Sequence, residues 1–253
     1  MVGIGTRAEA PTGSAAIWHD VECAGYAADL SVWRDLARAH GGPVLDLGCG
    51  TGRVALDLAA HGTPVTGVDC DPELVHALAA RARGAGAEVT AQVADIRALS
   101  LSGPLPLAIA PMQVVQLLGG AAGRESMLAS VRAVLPVGGI LALALADPFE
   151  ALPPGEFLPP LPDVLERDGW VYSSAPLAVR IEPGGAAIDR LRQAVSPEGE
   201  LLESMATIVL DEVTAQELEQ AGGEQGFSVL PRRSVPSTES YVGSTVVVLE
   251  RAR

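Results

Sequence analysis

Apolar and polar positions follow two rhythms along this chain, and the change falls near residue 147. Before it, short apolar runs trade places with stretches whose apolar residues recur every three or four positions. Residues 21–40 set Val32, Leu36 and Ala39 on one face and predict a helix. "PVLDL" (43–47) reads as a short buried strand, and "TGRVALDLAAHG" (51–62) as a helix that Gly62 closes. "TPVTGVD" is the next strand. "DPELVHALAARARG" is a helix with Asp71 as its cap, Pro72 at its first position and Gly84 after it. "AEVTAQVAD", "LPLAIAP" and "GGILALALAD" supply three more strands, the last two separated by the helix "RESMLASVRAVLP". Short apolar strands alternating with helices of this length predict a parallel sheet covered on both faces.

After Asp147 the rhythm changes. Residues 151–163 hold five prolines and predict an irregular connection. "WVYSSAPLAVRIE", "AAIDRLRQAV" and "LLESMATIVLD" alternate at period two and are separated by "PGG" and "SPEGE", the pattern of an antiparallel meander. The helix "TAQELEQAGGEQG" opens on a capping box, Thr214 with Glu217. "FSVLPRR" and "YVGSTVVVLERAR" then close the chain as strands.

Charge narrows the partners. Net charge is −14, from 31 acids against 17 bases, and every base is arginine. No basic run is longer than Arg232-Arg233, so the chain offers no stripe that tracks phosphates, which argues against nucleic acid. An acidic field suits cationic or amine-bearing small molecules, and it also keeps a protein soluble. The lack of Lys and Asn, with abundant Ala, Gly and Pro, fits the codon bias of a GC-rich bacterial genome. Cys23, Cys49 and Cys70 form no CxxC pair, which argues against a disulfide framework and a structural metal site. The first residues lack a signal peptide's charged start and apolar core. The uncharged stretch Ala98–Gly123 is interrupted by Pro104, Pro106, Pro111, Gln113 and Gln116, so it reads as strand and loop rather than a membrane span. A cytoplasmic protein is expected.

The candidate chemistry starts at "PVLDLGCGTGR", where Gly48, Gly50 and Gly52 fall at every second position. Glycines there let the backbone turn tightly and approach a ligand. A dinucleotide and a sulfonium nucleoside both suit such a loop. A pyrophosphate site needs G-x-G-x-x-G, and here the third position is Arg53, which is not glycine but is able to clamp a phosphate. Asp46 ends the strand before the loop, where it repels an anion and welcomes an ammonium or a sulfonium. Asp69 ends the second strand, placed to accept both hydroxyls of a ribose, a role that fits either cofactor. Asp95 ends the third, where it meets an adenine amino group. These acids line the crevice in which open α/β sheets bind ligands.

"VLDLGCGTGR", "VTGVDCDPELV", "ADI" and "VLPVGGILAL", in this order and spacing, resemble the successive motifs of class I S-adenosylmethionine-dependent methyltransferases of the small-molecule type. The resemblance covers about residues 43–147. It implies an α/β, doubly wound, Rossmann-like, seven-stranded and mostly parallel sheet, with the meander inserted as an antiparallel lid. Residues 1–40 would form a helical segment closing over the site, 41–150 the cofactor-binding core, 151–212 the lid, and 213–253 the helix and strands that complete the core sheet. Asp46, Gly48 and Gly50 would face the methionine part of S-adenosylmethionine, with Cys49 and Arg53 beside them. Asp69 and Cys70 would flank the ribose, Asp95 and Ile96 the adenine, and Pro111 and Gln116 the cofactor. Met112 and Gln113 fall where the family lines the acceptor site.

The reaction implied is methyl transfer to N or O of a small-molecule acceptor, in-line, leaving S-adenosylhomocysteine. Positioning alone supplies about 7–11 kcal/mol in such a step, so a protein base is optional. Candidate catalytic groups are Asp147, after the fifth strand, and His19 in the leading segment. Tyr26 and Trp33 are placed either to face the sulfonium or to anchor that segment. Arg180 and Tyr241 complete the acceptor set, Arg180 suiting a substrate carboxylate. Other outcomes remain open: non-methylating chemistry such as aminocarboxypropyl transfer or cyclisation, a nicotinamide oxidoreductase, or a protein that binds the cofactor without catalysis. The lid's strands are open to pairing with a second chain. Bacterial secondary metabolism is the expected setting.

Overall fold

The structure, a computed structural model, describes residues 14–101, 103, 105–146, 161–238 and 241–253. Two helices lead: α1 (Ser14–Cys23) and α2 (Leu30–His40). The single helix expected over 21–40 is therefore broken. Asp29, just ahead of α2, accepts the Trp33 indole N–H at 2.8 Å and both terminal nitrogens of Arg53, a tertiary demand that fixes the turn.

The alternating region then folds as read: β1 (Val44–Leu47), α3 (Arg53–Ala60), β2 (Val65–Asp69), α4 (Pro72–Ala85), β3 (Val89–Val93), β4 (Leu107–Ala110), α5 (Ala121–Val134) and β5 (Ile140–Ala146). Short 3-10 turns follow β3 (Ile96–Ala98) and β4 (Val114–Leu117). Asp71 caps α4 by accepting from Glu73 N at 2.8 Å. Gly84 does not end this helix; Gly86 does, in the left-handed conformation at φ +61°.

From residue 161 onward lie β6 (Asp163–Arg167), β7 (Trp170–Glu182), β8 (Gly185–Val195) and β9 (Leu201–Asp211). Then come α6 (Ala215–Glu224), β10 (Phe227–Val235) and β11 (Ser244–Arg251), with the Thr214–Glu217 capping box in place. The first sheet has seven strands in the order β10-β11-β5-β4-β1-β2-β3. Only β11 breaks the parallel run, pairing antiparallel with β5 and β10. The second sheet is the antiparallel β6-β7-β8-β9. It gains β6 over the expected three strands, because the prolines hid a strand beginning at Asp163.

The strands β1, β4 and β5 are buried along their whole length. Their two faces feed separate apolar clusters. Leu45, Leu47 and Leu141 pack with Met127 and Leu128 on one side. Val44, Leu107 and Ile109 pack with Trp33, Leu36 and Leu58 on the other. Because these strands are parallel, their carboxyl ends share one edge, and the second sheet and α1 stand over that edge.

Candidate functional site

Four strand ends converge on a cavity of about 790 Å³. Asp46 on β1, Asp69 at the end of β2, Asp95 after β3, and Pro111 and Met112 after β4 form its floor. Met112 holds φ +57°, a left-handed conformation costly to a residue with a Cβ, and this strain lies in the cavity wall. Helix α1 supplies Trp18, His19, Glu22 and Cys23 from above, and the second sheet supplies Ile188, Arg190, Arg192, Ile208 and Leu210 from the far side.

The glycine loop is shaped by contact. Gly48 and Gly50 have φ +67° and +54°. A Cβ on Gly50 would fall 2.1 Å from His19 Nε2, and one on Gly48 would fall 2.8 Å from a Val114 methyl. The loop is fastened to the second strand end: Gly50 N donates to Asp69 Oδ2 at 2.9 Å, and Asp71 N donates to Oδ1 at 3.0 Å. Each oxygen has spare acceptor capacity.

Asp46 is buried, and its Oδ1 has no hydrogen-bond partner. Burial pushes its pKa up to about 7; the Arg53 charge opposes this and Asp69 adds to it. Asp95 differs. It is partly exposed, and hydrogen bonds from Arg97 hold its carboxyl below the usual range.

His19 belongs to a relay. Thr51 Oγ1 donates to Asp20 Oδ1 at 2.7 Å and stands 3.2 Å from His19 Nδ1. A hydroxyl already donating to a carboxylate must accept from the imidazole, so Nδ1 carries the proton and Nε2 keeps its lone pair. Burial lowers the His19 pKa, against the raising field of Asp20, and so favours this neutral ring.

Charges also tie α1 to both sheets. Asp20 takes Arg81 of α4 and Arg167 of β6. Glu22 accepts both nitrogens of the Arg192 fork at 2.8 and 2.9 Å, and the Ser174 hydroxyl at 2.8 Å. Arg192 also stacks on Trp18 at 5.4 Å, and Arg190 pairs with Asp163.

Of the residues singled out from the sequence, Asp46, Gly48, Cys49, Arg53, Asp69, Cys70, Asp95, Ile96, Pro111, Met112, Gln113 and His19 line one cavity. Gly50 lies beneath the His19 ring. Asp147 falls outside the described residues. Five others are placed elsewhere. Trp33 is fully buried in the core. Tyr26 lies under the Arg53 guanidinium and against Tyr241, with ring centroids 4.9 Å apart, so neither tyrosine reaches the cavity. Gln116 accepts Ala146 N at 3.0 Å and serves the backbone. Arg180 is outside, paired with Asp189 and Glu182. Arg53 reaches the cavity wall, but its charge is consumed by Asp29, so it offers no phosphate clamp. Sequence reading missed Arg190 and Arg192, although their spacing in "DRLRQ" puts both on one strand face.

Fold and crevice together define a Rossmann-like domain with an acid-lined cavity at its strand ends, whose first turn carries no phosphate clamp. Residues 44–139 match a family model described as a methyltransferase domain. The architecture of the chain is that of class I S-adenosylmethionine-dependent methyltransferases. No curated protein sequence matches it. Among solved structures it is similar to DesVI of Streptomyces venezuelae (TM-score 0.73, 19% identity, covering 97% of this chain and 100% of that one). It is also similar to the sugar N-methyltransferase KedS8 from Streptoalloteichus (0.75, 19%, 100% and 99%). A third is CalS10, an amino pentose methyltransferase from Micromonospora echinaspora solved with S-adenosylmethionine bound (0.66, 20%, 96% and 99%). At these identities the likeness is one of fold.

Proposed function

We propose that the protein methylates the nitrogen of a small amine-bearing acceptor, an amino sugar being the class that best fits. The observation carrying this reading is the shared cavity: strand-end acids on one side and a lid wall of mixed charge and apolar side chains on the other. KedS8 and CalS10, which span nearly the same length, are named as sugar and amino pentose methyltransferases. Both support the acceptor class.

The residues present fit the cofactor. The unpartnered Asp46 oxygen suits an ammonium, and Asp69 keeps acceptor capacity for ribose hydroxyls. Asp95 and Ile96 would hold the adenine. When bound, S-adenosylmethionine supplies an electrophilic methyl carbon. The chain's own work is to align the acceptor with that carbon and to exclude water, a contribution of about 7–11 kcal/mol where alignment is good. Helix α1 and the lid strands form the excluding wall. His19 Nε2, held as an acceptor by the Thr51–Asp20 relay, receives a proton from the amine as the new bond forms. Arg190 and Arg192 bracket the acceptor's polar groups. Met112 and Gln113 complete its wall.

Calorimetry tests this. S-adenosylhomocysteine should bind and NAD should not. Asp69→Asn, which keeps an acceptor for Gly50 N, should weaken S-adenosylhomocysteine at least tenfold. Turnover with an amino sugar should yield S-adenosylhomocysteine and not 5′-methylthioadenosine. Undiminished affinity in Asp69→Asn would remove the ribose assignment, and methylthioadenosine as product would remove methyl transfer.

A further inference from the structure

The second sheet ends on β9, and the direction of its backbone groups can be worked out. Glu212 N donates to Gly184 O, and Glu200 O accepts from Ser196 N. Between these points β9 pairs with β8 without a bulge, so its even-numbered residues turn N–H and C=O toward β8. Leu201, Glu203, Met205, Thr207 and Val209 turn theirs to the outside. Among the described residues no hydrogen bond reaches those groups.

Such an edge is a template for another strand, and proteins blunt it with proline, lysine or a bulge. β9 has none of these over its 11 residues, and it has no basic residue at all. Three of its outward positions are exposed apolar side chains: Leu201 at 54%, Met205 at 58% and Val209 at 55%.

The strand is complementary to itself in one register. An antiparallel copy must set odd residues against odd, so that outward groups meet. Centred on Met205, the pairing places Leu201 against Val209, Glu203 against Thr207 and Met205 against itself. The other face then brings Leu202 against Ile208. Moving the centre one residue toward the amino end sets Glu203 against Met205; moving it the other way sets Glu203 against Val209. Both set a carboxylate opposite an apolar side chain and lose the Leu201–Val209 pair.

We infer that β9 pairs with β9 of a second copy across a two-fold axis at Met205, joining the two four-stranded sheets into one continuous sheet. The site is affected, because Thr207, Ile208, Val209 and Leu210 line the cavity. Leu202 of the second copy lies beside Ile208 and extends the acceptor wall. This inference stands apart from the assignment of the reaction.

Sedimentation at micromolar concentration tests it. The wild type should run at twice the mass of one chain. Met205→Arg sets two guanidinium groups face to face at the axis and should give the single-chain mass. Thr207→Arg, opposite Glu203, should keep the doubled mass. Opposite residues in a hydrogen-bonded antiparallel pair have Cα atoms about 5.5 Å apart, within disulfide range. Met205→Cys should therefore cross-link on mild oxidation to a doubled band that reductant reverses, a band the wild type lacks. This last readout decides the matter if Met205→Arg fails to fold. A wild type of single-chain mass, a doubled mass in folded Met205→Arg, or an uncross-linked Met205→Cys each overturns the pairing.

Discussion

Asp46 makes the cavity's electrostatics measurable through stability. Its carboxyl titrates near 3.8 when free and about 7 in the fold, chiefly because burial disfavours the charge. Since the folded value is the higher one, the folded chain holds more protons than the unfolded chain between about pH 4 and pH 7. Stability therefore falls as pH rises through that window, and the loss is complete above it. A shift of about three units amounts to about 4 kcal/mol. Asp46→Asn is neutral and nearly isosteric, so it removes this cost. In the absence of cofactor, the variant should exceed wild type by about 4 kcal/mol at pH 8 and by about 2 kcal/mol at pH 5.5. For a chain of this size 4 kcal/mol corresponds to a melting-point rise of about 8–16 °C. Urea titrations at the two pH values measure the difference directly. Adding S-adenosylhomocysteine at pH 8 should reverse the order, because an ammonium beside the ionised carboxylate stabilises wild type and finds no charge in the variant. Parallel pH profiles for the two proteins, or an Asp46→Asn no more stable than wild type at pH 8, would refute the reasoning.

Two further substitutions address how α1 is held. Gly50→Ala puts a Cβ into the His19 ring and strains a left-handed φ by about 1–2 kcal/mol, so α1 should lift. Limited proteolysis within residues 14–23 should accelerate, and S-adenosylhomocysteine affinity should fall at least tenfold by calorimetry. Asp20→Ala leaves Arg81, Arg167 and the Thr51 hydroxyl without their shared acceptor and should cost about 2 kcal/mol in a urea titration.

The core fold was legible because its signals are local. Buried parallel strands read as unbroken apolar runs, and caps such as Asp71-Pro72 and Thr214–Glu217 announce helix starts within four residues. The errors arose where distant groups decide. Asp29 interrupts the leading helix only because Trp33 and Arg53 converge on it. Gly84 and Gly86 both look like helix stops, yet the bond from Ala87 N to Ala82 O at 2.9 Å selects the second.

The site divides along the same line. Asp46, Asp69 and Asp95 were readable because the carboxyl ends of parallel strands share an edge, so position along the chain fixes position in space. Trp33 was ambiguous only while its aromatic character was considered alone. With Leu36 and Ala37 it forms the buried face of α2, and helical spacing already places it in the core. Arg180 failed for a subtler reason. Ser174 pairs with Arg192 and Pro176 with Arg190, so even residues of β7 begin on the cavity face. Strict alternation would keep Arg180 there. The bulge between Pro176 and Ala178 inserts one residue, reverses the faces, and turns Arg180 outward onto Asp189. β8 carries no such insertion against β9, so Arg190 and Arg192 stay inside. The guanidinium groups that reach the cavity are thus chosen by a single-residue slip in the neighbouring strand, a feature that period-two reading of either strand alone does not contain.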